Sequence, residues 1–251
     1  MKSLTDVSSL IFFPSTDQSC PDGFKVIRDK QLEFLFQDNG SDKTIICFHG
    51  NGESAYEFWN AYKNLFEIIK SNYIIYEYRG FGTRQGNQDL INLLEDLQYF
   101  QEIDILKNQK TIVFGRSFGS LPAIELASKI QAKTMIIENG ILDTVAWIKR
   151  VIVEDQMIHG GHSFINTNEL TLGLNEFYNN EAKLNSFAGQ ILLFYNTDAR
   201  FPNSAKQFNI LNNRYNGEKT RYHLLKYGDH NCILDANFTE YSSIFKKVIL
   251  G

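Results

Sequence analysis

The chain has 251 residues, 43% hydrophobic and 14% aromatic, which is enough for a large buried core in one domain. A net charge of −4, with lysines and arginines scattered rather than striped, excludes the basic face of a nucleic-acid binder. Three cysteines (Cys20, Cys47 and Cys232) are too few and too irregular for a disulfide framework or a zinc cluster.

The stretch MKSLTDVSSLIFFPSTD has one early lysine and no continuous apolar core, so no signal peptide is expected. No run approaches the roughly 18 apolar residues needed to span a bilayer, and lipidation boxes are missing. The expectation is a soluble, cytoplasmic protein with no integral membrane segment; secretion without a cleaved signal is the alternative.

Leu10–Phe13, Phe24–Ile27 and Leu32–Phe36 read as short antiparallel strands between polar turns. After the turn at 38–42 comes the first buried strand, Thr44–His49, with Cys47 as a buried free thiol. Ser54 and Glu57 form a capping box for a helix whose stripe is Ala55, Phe58, Trp59, Tyr62, Leu65, Phe66 and Ile69. Further buried strands are expected at Tyr73–Tyr78, Thr111–Phe114, Lys133–Ile137, Gln190–Tyr195 and Arg221–Tyr227. Helices are expected around Leu90–Phe100, Ser120–Ile130 and Ser204–Tyr215, and at the C-terminus through Phe238, Tyr241, Phe245 and Val248. Their aromatic stripes read as core. Alternation of strands and helices predicts one α/β domain, a mostly parallel sheet covered on both faces. The rhythm breaks between about 141 and 186, where Trp147 and His159-Gly160-Gly161-His162 fall; this insertion is expected to form a lid over the active edge of the sheet.

Gly115-Arg116-Ser117-Phe118-Gly119 sits between the Thr111–Phe114 strand and a helix, where a turn can expose a serine hydroxyl. Alone, G-x-S-x-G is a weak pattern; between strand and helix it is a strong one. A nucleophile there needs a base, an orienting carboxylate and oxyanion donors. His230, just past the last strand, is the candidate base. Asp198, just past the preceding strand, is the candidate acid, giving the chain order Ser…Asp…His. Glu138, at the end of an earlier strand, is the alternative acid, and Asp229 is too close to His230 to be favoured. The expected oxyanion donors are the backbone N–H groups of Phe118 and of Asn51 in His49-Gly50-Asn51-Gly52; the Asn51 side chain reads as incidental. Among other histidines, His49 precedes the oxyanion turn, His223 is mid-strand, and His159 and His162 fall in the insertion. Arg79 is expected to brace loops.

With these motifs in order, the chain resembles the α/β-hydrolase superfamily, and within it the ABHD13- and ABHD17-like, or BEM46-like, serine hydrolases. His49–Gly52 is similar to their HGN oxyanion turn, Tyr76–Gly82 to their Y-D-Y-R-G-Y-G segment, and Gly115–Ala123 to their elbow and its helix. Asp198–Pro202 is similar to their D-x-x-V-P acid loop and Gly228–His230 to their G-x-H. Tyr195 and Arg84 depart from residues usual in the family (glycine and serine), and the N-terminal cysteine cluster of some membrane-associated members is missing.

The expected reaction is hydrolysis of a carboxylester or thioester through a Ser117–His230–Asp198 triad and an acyl-enzyme, with no metal or organic cofactor. Its partner is a small-molecule or lipid-acyl substrate, or an acylated protein. Competing readings are a serine peptidase, a lysophospholipase or monoacylglycerol lipase, and a non-catalytic binding module that keeps the fold.

Overall fold

The computed structural model describes residues 2–17, 19–103, 106, 110–159, 165–196 and 220–250. The chain opens with a short helix α1 (Lys2–Asp6) and a 3-10 turn, Val7–Leu10. The strands are β1 (Lys25–Asp29), β2 (Leu32–Gln37), β3 (Lys43–Phe48), β4 (Asn72–Tyr76), β5 (Lys110–Arg116), β6 (Thr134–Glu138), β7 (Gln190–Asn196) and β8 (Thr220–Leu225). They form one eight-stranded sheet in the spatial order β1-β2-β4-β3-β5-β6-β7-β8. β1 and β2 pair antiparallel, as do β2 and β4, and every later pairing is parallel.

The helices are α2 (Ala55–Ile69), α3 (Leu90–Tyr99), α4 (Ser120–Lys129), α5 (Thr144–His159), α6 (Thr167–Phe177), α7 (Asn180–Ser186), α8 (Ile233–Ala236) and α9 (Phe238–Leu250). The expected Ser54–Glu57 capping box starts α2, with both reciprocal bonds formed. The expected helix at Ser204–Tyr215 lies outside the described residues.

Successive strand side chains point to opposite faces, so the apolar runs feed two cores. Ile46, Phe48, Val113 and Ile137 join α3, α4 and the N-terminal segment on one face. Ile45, Cys47, Ile112, Phe114 and Ile136 join α2 and α9 on the other. A strand buried on both sides needs no alternation, and β4 and β6 are buried at every residue.

The register brings the carboxyl ends of the parallel strands into one row: Phe48 opposite Gly115, Arg116 opposite Glu138, and Glu138 opposite Phe194. Open α/β sheets bind ligands outside this edge. The His49–Gly52 turn, the Gly115–Gly119 turn and the ends of β6 and β7 all lie at that edge.

One expectation fails. Leu10–Phe13 is not a strand: a 3-10 turn ends at Leu10 and irregular chain follows. Leu4, Val7 and Ile11 are buried at helical spacing, and the Ser8 hydroxyl donates to Leu4 O while accepting from Leu90 N. The apolar triplet is consumed by docking onto the α/β layer, not by pairing.

Candidate active site

β5 ends at Arg116 and a single 3-10 turn, Ser117–Gly119, leads straight into α4. Ser117 has φ +52°, the left-handed region, where a residue with a Cβ costs about 1–3 kcal/mol. The bend is tied down by the Ser120 hydroxyl, which donates to Ser117 O at 2.7 Å and accepts from Ile141 N at 2.8 Å. Both glycines are there for space. A Cβ on Gly115 would lie 2.5 Å from Ala123 Cβ, and one on Gly119 would overlap Phe48 O and lie 2.6 Å from His49 O.

His230 reaches the elbow from the loop after β8, with Nε2 2.8 Å from Ser117 Oγ. Gly228, at φ +81°, turns that loop, and Asp229 Oδ1 accepts from the N–H groups of Asn231 (2.8 Å) and Cys232 (3.1 Å). Asp229 therefore builds the turn that presents its neighbour. Asn139, at φ +44°, follows β6; its Nδ2 donates to His230 O at 3.2 Å and its Oδ1 accepts from Asn196 N at 3.1 Å. One carboxamide thus joins the histidine loop to the end of β7. Asp198, two positions further on, lies outside the described residues, as does His162.

The turn after β3 stands against the serine: a Cβ on Gly50 would be 3.6 Å from Ser117 Cβ. His49 is wholly buried, with Nε2 3.1 Å from Glu77 Oε1 and Nδ1 2.8 Å from Gly50 O, and Tyr78 donates to its carbonyl at 3.0 Å. It holds the turn. Glu53 Oε1 accepts from Gly50 N at 2.6 Å. The Asn51 side chain corrects the reading of it as incidental: Nδ2 donates to Ile11 O at 2.6 Å and Oδ1 accepts from Phe13 N at 2.9 Å. It clasps the N-terminal segment to the turn. Asn51→Ala should cost about 1–3 kcal/mol through these two bonds, read as a lower midpoint in urea melts.

Glu138 has no such freedom to serve His230. It is fully buried, accepting from Tyr62 Oη and from Tyr241 Oη at 2.6 Å, with Arg116 Nε 3.5 Å away. Burial pushes its carboxyl above the usual range although Arg116 pulls the other way.

Residues 43–226 match the family model described as alpha/beta hydrolase fold. The chain belongs to that family. Among curated relatives of this alpha/beta hydrolase, Protein bem46 of Schizosaccharomyces pombe is 29% identical over 121 residues, 46% of this chain and 40% of that one. Alpha/beta hydrolase domain-containing protein 17C of Mus musculus is 25% identical over 124 residues, 47% and 39% of the two chains. The matches thus span about two-fifths of those relatives' length. An esterase of Pyrococcus furiosus superposes with a TM-score of 0.69 at 14% identity, covering 94% of this chain and 95% of that one. An alpha-beta hydrolase from Vibrio vulnificus gives 0.63 at 15%, covering 88% and 80%. At these identities the structural likeness speaks for the fold.

The alpha/beta hydrolase carries further braces around its site. Arg79 binds Asp96 through Nη2 (2.6 Å) and Nε (3.2 Å), as a loop brace should. Arg84 is buried and donates to Tyr76 Oη, Glu77 O and Asp96. Two guanidiniums on one wholly buried carboxylate fix the Tyr76–Gly82 segment. His223 lies in β8 as expected, and burial lowers its basicity. Phe118 packs edge-on against Phe12 (centroids 4.9 Å) and Tyr78 (5.8 Å), with Trp147 of α5 at 6.1 Å.

Arg116 is the residue that motif reasoning passes over. Its Nη1 donates to Glu53, its Nη2 donates to Asn231 Oδ1 at 3.0 Å, and its Nε faces Glu138. A charged residue closing an otherwise apolar strand was the available signal; its partners, 63 and 115 positions away, were not.

Proposed function

We propose that this alpha/beta hydrolase is a serine hydrolase that cleaves carboxylester or thioester bonds through an acyl-enzyme. The reading rests on one observation above all: a serine in the left-handed region at a strand-to-helix turn, with its hydroxyl 2.8 Å from His230 Nε2. Ser117 attacks the substrate carbonyl while His230 takes its proton, and Asp198 holds the imidazole tautomer and stabilises its cation. The N–H groups of Asn51 and Phe118 stabilise the oxyanion; His230 then protonates the leaving group and delivers water to the acyl-serine.

An acyl chain is the proposed bound group, with α5 to α7 acting as the lid at about 141–186. No described helix is long and apolar enough to cross a membrane. Free thiols at Cys20, Cys47 and Cys232 suit a reducing cytoplasm.

Labelling with a fluorophosphonate, then profiling p-nitrophenyl esters, acyl thioesters and aminoacyl amides, tests the assignment. Ser117-dependent labelling with ester or thioester turnover is expected. Preference for the amides would point to a peptidase, and absence of labelling to a binding module. Asp198→Asn should lower kcat about 10⁴-fold by favouring the wrong imidazole tautomer. Glu138→Gln should instead disturb stability through Tyr62 and Tyr241. If Glu138→Gln were the variant that stopped turnover in a folded protein, the acid would have to be reassigned.

A further inference from the structure

We propose that Arg116 is a positioning residue, its guanidinium clamping the oxyanion turn through Glu53 to the histidine loop through Asn231. The inference rests on the serine-hydrolase reading and adds a requirement to it: the two halves of the machinery keep their spacing because one rigid group holds both.

Three nitrogens of Arg116 serve three separate segments. Nη1 binds Glu53 Oε1, the same oxygen that accepts from Gly50 N at 2.6 Å, so the orientation of the Gly50 peptide depends on where Arg116 holds that carboxylate. The next peptide carries the Asn51 N–H. Nη2 donates to Asn231 Oδ1 at 3.0 Å and lies 3.5 Å from Asn231 O, one residue beyond His230. Nε faces Glu138 on β6, which anchors the group to the sheet. A planar fork with fixed N–H directions can span these partners; an ammonium point charge cannot.

The arm from Arg116 to Glu53 sits in a dry place. The Arg116 side chain is 10% exposed and Glu53 15%, where charge-assisted bonds hold geometry tightly. Burial pulls the Arg116 guanidinium down, but Glu53, Tyr62 and Glu138 outweigh it and hold the group charged. Glu138 also has Tyr62 and Tyr241, so anchoring Glu138 does not by itself account for the arms to Glu53 and Asn231.

Oxyanion donors act mainly in the transition state, so a misplaced turn lowers kcat and leaves substrate binding alone. The test measures kcat, KM and fluorophosphonate labelling rate with p-nitrophenyl esters for Ser117→Ala, Arg116→Met, Arg116→Lys, Glu53→Gln and Asn231→Ala. Arg116→Met should lower kcat and labelling about 10- to 100-fold with KM within about threefold. Arg116→Lys should recover only part. Asn231 is exposed, so its truncation leaves a folded protein, with kcat down about 3- to 10-fold. The loss should vanish in the Arg116→Met background, the sign of a shared interaction.

If Arg116→Met does not fold by circular dichroism, Asn231→Ala and Glu53→Gln decide the question. Wild-type kcat in the folded variants, or a change confined to KM, overturns the clamp while a dead Ser117→Ala leaves the catalytic reading intact. Persistent turnover in Ser117→Ala would overturn both.

Discussion

Replacing Ser117 with alanine should lower kcat by about 10⁴- to 10⁶-fold while leaving the melting temperature close to wild type. The change deletes one oxygen. Alanine keeps a Cβ, so the φ of +52° costs it what it costs serine, and the tie from Ser120 runs to the backbone carbonyl at position 117. What disappears is the hydroxyl oxygen placed 2.8 Å from His230 Nε2. On the proposed mechanism, residual acceleration would come from the oxyanion donors acting on water, as in serine triads stripped of the nucleophile. Steady-state turnover of a p-nitrophenyl ester, with fluorophosphonate labelling read by intact mass, checks this. Retention of more than about a hundredth of the activity would remove Ser117 from the mechanism.

Gly119→Ala should also be damaging, less deeply and by another route. Gly119 has φ −57°, a conformation any residue adopts, so backbone freedom is not the reason for glycine. The reason is the carbonyl end of β3. An added methyl would overlap Phe48 O and approach His49 O to 2.6 Å, and both are backbone atoms with no rotamer to yield. Either α4 moves out or the oxyanion turn moves away from the serine. Overpacking of this kind costs about 1–3 kcal/mol, and a shift of about 1 Å in the donors costs about 10²-fold in rate. Urea denaturation and kcat, measured on the same preparation, should both fall. Unchanged values in both would mean that the helix and strand are not packed as closely as described.

Much of the architecture was legible because the sequence repeats its message at several levels. The β3 to β7 runs are continuously apolar through their centres, as strands covered on both faces must be, and the α2 stripe agrees with its own capping box. Leu10–Phe13 misled because four adjacent apolar residues look alike whether they pair or dock; only Leu4 and Val7, three and four positions apart from their neighbours in the buried row, hint at docking. Strand ends also drifted: Tyr78 and Tyr227 lie beyond β4 and β8.

The site was legible where chemistry is written into a local pattern. The elbow and the Gly228–His230 turn announce themselves by glycine placement, and the contact between Ser117 and His230 joins residues 113 positions apart. The roles of Arg116, Asn51 and Asn139 were not legible, because each depends on what the fold brings opposite the side chain. A carboxamide or guanidinium says how many bonds it can make but not with whom.

The Asn139 carboxamide has a consequence for anyone splicing this chain with a relative. Since it grips both the segment bearing His230 and the last residue of β7, neither exit from the sheet can be exchanged alone without orphaning one end of the amide. A chimaera that transplants the two together with position 139 inherits a working joint; one that moves a single loop inherits half of it.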